Sequence, residues 1–127
     1  MENVVICGAA RTPIGGFQGA FDAVPAAWLG GAAIEAALQQ TSLSSVDEVV
    51  MGNVLGAGQG QAPARQARFH AGLGAQVPAT TLNNMCGSRL KATIIGFDQI
   101  GLGQTQVMSV GGMDNMSNAP YTLLQRL

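Results

Sequence analysis

VDEVVMGNVL, residues 46–55, is the stretch on which the fold turns. It is short, rich in β-branched residues and followed by a glycine-containing loop at 56–61, so it reads as a strand. Pro63 then stands where proline favours a first helical turn, and residues 63–72 read as a short helix. After Pro78, ATTL at 79–82 reads as the next strand, residues 86–100 as a helix and 106–110 as a further strand. Towards the amino terminus, NVVICGAA at 3–10 reads as a strand and 26–40 as an alanine-rich helix behind Pro25. The tail from 111 to 127, with its glycines, asparagines and proline, reads as loop. Strand and helix thus alternate as βαβαβαβ, which predicts an α/β fold with a mainly parallel sheet joined by right-handed crossovers.

Two helices carry unusual patterns. Gly30 and Gly31 lie inside the first, where each costs about 1 kcal/mol relative to alanine, so close packing is the expected return. In the third, Leu90, Ile94 and Phe97 form one apolar stripe while Ile95 and Ile100 lie off it. A helix apolar nearly all round is a buried one. One four-stranded sheet does not bury every face of it, so more protein is expected to cover it.

The chain has 127 residues, enough for one domain, with 47% apolar and 10% charged residues. Typical soluble domains carry roughly 25% charged residues. High hydrophobicity with little charge excludes a disordered chain. Six basic against seven acidic side chains leave no positive field for phosphates, so no nucleic-acid partner is expected. A compact monomer of 12.9 kDa would expose about 6,300 Å². Thirteen charges cover that thinly. Either partner protein covers much of the surface, or the domain is simply alanine-rich.

Glu2 stands where a signal peptide wants positive charge, and the apolar stretch 20–38 is broken by Asp22, Pro25 and Glu35. No membrane association is therefore expected. Cys7 and Cys86 are far apart and the chain has one histidine, which argues against a disulfide framework or a zinc site and for the cytoplasm. No cofactor or metal is expected.

Gly56, Gly58 and Gly60 lack the spacing of a dinucleotide loop, and neither GxxxxGK[ST] nor G-x-S-x-G occurs. His70 reads as a solvated side chain at a helix C-terminus, and Cys7 as a small buried hydrophobe in a strand. Cys86 is different. It opens the third predicted helix and is followed by the small residues Gly87 and Ser88. Unpaired N–H groups and the positive end of the helix dipole favour a thiolate there, and the Cys86 N–H could face a developing oxyanion. By position alone it is either a nucleophile or an inert thiol.

NNMCGSRLKA at 83–92 resembles the nucleophile motif of thiolases, the acetyl-CoA acetyltransferase and 3-ketoacyl-CoA thiolase family. AARTPIGGFQGAF (9–21), EVVMGNVL (48–55), GQGQAPARQA (58–67) and GGMDNMSNAPY (111–121) resemble further thiolase segments in the same order. The likeness runs from about residue 4 to 124, so the chain resembles the first portion of a thiolase, an incomplete N-terminal domain with a buried nucleophile helix. The resemblance implies that Cys86 attacks an acyl-CoA, releases coenzyme A and holds the acyl group as a thioester. Its N–H would lie in the oxyanion hole. A second acetyl-CoA then condenses with that group to acetoacetyl-CoA, or the reverse reaction cleaves a 3-ketoacyl-CoA in fatty acid metabolism. Coenzyme A thioesters are the implied substrates, and the likeness of 59–82 to a dimer interface implies a homodimer or homotetramer.

Two departures stand out. Thiolases usually carry a glycine or similarly small residue where this chain has Arg89, so Arg89 is expected to burden the acyl site and impair turnover. The family's later Asn-Glu-Ala-Phe segment, Gly-His-Pro histidine and second cysteine-glycine do not occur here, and neither His70 nor Cys7 matches them. The expectation is a piece that holds the nucleophile without its base and is inactive alone. The competing reading is a non-catalytic truncated paralogue that docks to a full-length thiolase subunit.

Overall fold

The structure is a computed structural model that describes residues 3–125. Its elements, in chain order, are α1 (Ala26–Leu38), β1 (Glu48–Gly52), α2 (Pro63–His70), β2 (Ala79–Leu82), α3 (Ser88–Gly101), β3 (Met108–Gly112) and a short 3-10 turn, Met116–Asn118. The three strands form one parallel sheet in the order β2-β1-β3. Val50 aligns with Thr80 on one side and Val110 on the other. Because β1 is central and covered on both faces, it reads as an unbroken apolar run rather than an alternating one, with Val49, Val50 and Met51 at most 2% exposed.

The connections run in opposite directions, β1 to β2 and then back past β1 to β3. Right-handed crossovers of opposite direction place their helices on opposite faces of the sheet. Val49 and Met51 accordingly join a core with Ala26, Ala27 and Ile34 of α1 and Ala64 and Ala67 of α2. The alternate residue Gly52 meets Ser88 of α3. The paired glycines of α1 serve contact, as expected. A Cβ on Gly31 would lie 2.5 Å from His70 Cβ, and one on Gly30 would lie 2.5 Å from Met113 Sδ.

Arg68 is also buried, 2% exposed. Its Nη1 donates to the carbonyls of Ala75 and Val77, and its guanidinium lies 4.0 Å from the centre of the Phe69 ring. It thereby holds the loop between α2 and β2. Among the described residues no helix is long and apolar enough to cross a membrane.

Three expectations need correction. The strand predicted at 3–10 is not formed. Among the described residues the segment pairs with no strand, with Val5 and Ile6 exposed, and Cys7 is exposed rather than a buried hydrophobe. The Gln40 side chain brackets Ala9, accepting from its N–H at 3.2 Å and donating to its carbonyl at 2.9 Å. A groove of about 400 Å³ separates Asn3–Gly8 from Gln106–Val110, so no sheet edge is within reach to supply ladder bonds.

Nor is α3, expected to be a buried helix, buried all round. Leu90, Ile94 and Phe97 are 66%, 43% and 49% exposed, and the buried residues of α3 are Ser88, Ala92, Gly96 and Gly101. The sheet selects the small-residue stripe because its own atoms stand close. A Cβ on Gly96 would come 2.7 Å from Val110 Cγ1. The surface totals 8330 Å², about 2,000 Å² beyond the compact-monomer scale, as a chain with unpartnered apolar faces should show.

Finally, α3 begins at Ser88, two residues later than predicted, because residues 83–87 form a tight turn instead.

Asp47 pins the amino end of β3. Its Oδ2 accepts the Gln106 N–H at 2.7 Å and the Val107 N–H at 3.0 Å. The Val107 bond, then the Gln106 bond, hold its carboxyl below the usual 3.8. A depressed folded pKa stabilises above the unfolded value and loses that contribution as pH falls through the folded one. Asp47→Asn is therefore expected to remove part of the acid-side loss of stability below about pH 4. Urea midpoints of wild type and variant, taken between about pH 2 and pH 6, check this: parallel curves would contradict it.

Candidate functional site

Cys86 sits on the turn that joins the carboxyl end of β2 to the start of α3. In parallel α/β sheets this end is where ligands bind. The turn is built by its neighbours. Asn83 Oδ1 accepts the Met85 N–H at 2.9 Å, which bends the chain directly after the strand. Met85 takes the left-handed conformation, φ 51°, a cost of about 1–2 kcal/mol for a residue with a Cβ. Ser88, 2% exposed, accepts the Asn84 N–H at 2.8 Å and donates its hydroxyl to the Met85 carbonyl at 2.6 Å. The Gly87 and Ser88 N–H groups bond back to the Asn84 and Met85 carbonyls at 3.1 and 3.0 Å. Those contacts hold residues 84, 85, 87 and 88 and leave Cys86 at the apex, exposed.

Gly52 explains how this turn meets the sheet. A Cβ there would lie 2.6 Å from Ser88 Cβ and 2.8 Å from its carbonyl carbon, so only glycine lets α3 begin against β1. Beside it, Asp114 gathers the strand ends. Its Oδ1 accepts the Val54 and Leu55 N–H groups at 2.8 and 3.1 Å and Asn53 Nδ2 at 3.3 Å. Asn53, 4% exposed, also donates to the Met113 carbonyl at 2.9 Å. Neither Asp114 nor Asn53 stood out as a site residue in the sequence. The available signal was an amide directly after a strand-ending glycine, in a segment that matches the family.

Arg89 reaches solvent and is paired. Its side chain is 57% exposed, and its Nη2 stands 3.5 Å from Asp114 Oδ2. The stem lies over Gly112, where a Cβ would overlap Arg89 Cγ.

His70 is not brought to Cys86. It ends α2, near the amino ends of the strands, and its ring centre lies 4.8 Å from that of Trp28, the two planes tilted at 50°. Cys7 lines the groove outside β3. That groove, of about 400 Å³, contains none of residues 83–89, so geometry at the strand ends marks the site. Among the described residues no three His, Cys, Asp or Glu side chains converge as metal ligands.

Comparison with known proteins agrees with the motif reading. The family described as thiolase, N-terminal domain, matches residues 4–126. An acetyl-CoA acetyltransferase of Pseudomonas aeruginosa is 51% identical over 125 residues, 97% of this chain and 32% of that protein. The mitochondrial acetyl-CoA acetyltransferase of Xenopus tropicalis is 49% identical over 97% of this chain and 30% of its own length. An acetyl-CoA acetyltransferase of Cupriavidus necator is 48% identical, with 32% of its length covered. The chain thus spans about a third of the curated relatives it matches, and the part it spans is where the Cys86 turn lies. A parallel α/β sheet with this turn at its carboxyl end, matched by a family over nearly its whole length, makes the chain a member of the thiolase family, within the N-terminal domain of that fold.

Proposed function

We propose that Cys86 is the acyl acceptor of a thiolase-type acyltransferase. The thiol loses its proton, the sulfur attacks the thioester carbonyl of an acyl-CoA, the carbonyl oxygen takes up charge, and coenzyme A leaves as its thiolate. Collapse gives an acyl group on Cys86. When the group is acetyl, a second acetyl-CoA that has lost an α-proton attacks its carbonyl, the C–S bond to Cys86 breaks, and acetoacetyl-CoA leaves with the sulfur returned as thiolate; the reverse direction cleaves a 3-ketoacyl-CoA. Covalent catalysis divides one hard carbon–carbon step into two easier ones. The observation that carries the reading is the exposed Cys86 apex, on a turn that Ser88 brackets through the Asn84 N–H and the Met85 carbonyl.

Turnover is not expected of this chain alone. General acid–base assistance is worth about a hundred- to ten-thousand-fold, and the single histidine lies at the other end of the sheet. A single acylation is expected. Purified protein incubated with acetyl-CoA should gain one acetyl group, located by peptide mapping on the segment with Cys86 and absent from the one with Cys7. No adduct, or equal labelling of both cysteines, would overturn the assignment.

A second reading is favoured by one specific observation. Leu90, Ile94 and Phe97 form an exposed apolar stripe on α3. A non-catalytic chain could use that stripe to dock on a full-length thiolase subunit, and homo-oligomerisation belongs to the complete protein. Absence of an adduct, together with co-elution with such a subunit, would favour this alternative.

A further inference from the structure

Arg89 stands three residues beyond Cys86, across the opening turn of α3. Its charge is only loosely held. The single contact to Asp114 is 3.5 Å, longer than the 2.7–2.9 Å of a strong charge-assisted bond. Asp114 is itself largely satisfied, since its other oxygen accepts two backbone N–H groups and its side chain is 14% exposed. A guanidinium has five N–H donors, and here one of its nitrogens makes the long bond to Asp114 while the side chain remains 57% exposed. Gly112 under the stem keeps Arg89 lying along the strand ends on the side of the sheet from which α3 starts.

This arrangement leaves spare cationic donors on the opening turn of α3, three residues along the chain from the thiol. A neutral acyl chain gains nothing from them, whereas a carboxylate can accept two parallel bonds from one guanidinium. Resting on the acyl-acceptor reading of Cys86, we infer that Arg89 is a specificity-determining residue that selects acyl groups carrying a carboxylate at the end away from the thioester. The substrate class is the half-thioester of a short dicarboxylic acid. The phosphates of coenzyme A offer the same chemistry to a guanidinium, but they are common to every acyl-CoA and so give no preference among acyl groups.

The test uses the chain in a Cys7→Ser background. Iodoacetate and iodoacetamide both alkylate a thiol with loss of iodide, and they differ in a carboxylate against an amide. The rate ratio of iodoacetate to iodoacetamide at Cys86 is expected to fall about fivefold in Arg89→Gln, the scale of one opposite charge a few ångströms away in water. It should stay near wild type in Arg89→Lys and decline with added salt. Succinyl-CoA should likewise acylate Cys86 faster than acetyl-CoA, with the preference lost in Arg89→Gln. An alkylation ratio unchanged by Arg89→Gln overturns the inference. So do succinyl and acetyl adducts that form equally fast, and that result leaves the acyl-acceptor reading standing. Absence of both adducts instead counts against the acyl-acceptor reading, and the alkylation ratio then decides whether Arg89 reads charge at this thiol.

Discussion

Cys86→Ala is expected to abolish acetyl transfer to the chain while leaving its stability within about 0.5 kcal/mol of wild type. The two halves of that result have separate causes. Loss of transfer follows from removal of the sulfur, since alanine offers no atom that can form the acyl bond. Unchanged stability follows from position. Cys86 is exposed at the apex of its turn, and the bonds that shape the turn belong to Asn83, Asn84, Met85, Gly87 and Ser88. Intact-protein mass after incubation with acetyl-CoA measures the first half, and the urea midpoint measures the second. A residual adduct of wild-type size in Cys86→Ala would place the chemistry elsewhere. A large drop in midpoint would make Cys86 a packing residue, and the loss of transfer would then say nothing about a nucleophile.

How far this arrangement could be read in advance depended on the range of the forces involved. Local signals were legible. Pro25 ahead of α1, Pro63 at the first position of α2, the β-branched run of β1 and the Ala79–Leu82 strand all appear where propensity and punctuation place them. The parallel sheet followed from their alternation. Non-local choices were not legible. Residues 3–10 have the composition of a strand, but a strand forms only against an edge, and the groove beside β3 puts that edge out of reach. The apolar stripe of α3 was legible as a stripe within a helix read as buried on every face, but the sheet covers the small residues instead, because Gly52 stands against Ser88 and Val110 against Gly96. Cys86 stood out as a candidate because it opens a predicted helix beside small residues in a family-like segment. That it stands outside the helix depended on the Asn83 and Ser88 side chains, whose bonding partners a pattern of periods does not reveal. Asp114 gathers groups sixty residues away in sequence, which no local pattern encodes.

The closest coupling between fold and site runs through Gly52, and Gly52→Ala is expected to destabilise the chain by about 3 kcal/mol, at the upper end of ordinary overpacking. Two effects oppose each other. Replacing glycine by alanine restricts the unfolded chain and on that account stabilises by about 0.4–1 kcal/mol. Against this, the new methyl would lie 2.6 Å from Ser88 Cβ, 2.8 Å from the Ser88 carbonyl carbon and 3.0 Å from its oxygen. Two of those atoms are backbone at the first turn of α3, so no rotamer change relieves them, and trimming Ser88 to alanine would leave its Cβ in place. The clash therefore outweighs the entropy. Against a total stability of about 5–15 kcal/mol for a domain, the loss is large. Relief requires α3 to retreat from β1, which pulls Ser88 Oγ away from the Asn84 N–H and the Met85 carbonyl that it now bridges. Met85 is then free to leave its left-handed conformation, and Cys86 loses its fixed direction. The expected signature is a lower urea midpoint at unchanged slope, together with slower acetylation of Cys86 in the fraction that remains folded. A destabilised variant that acetylates at the wild-type rate would show that the Ser88 bracket does not position the thiol.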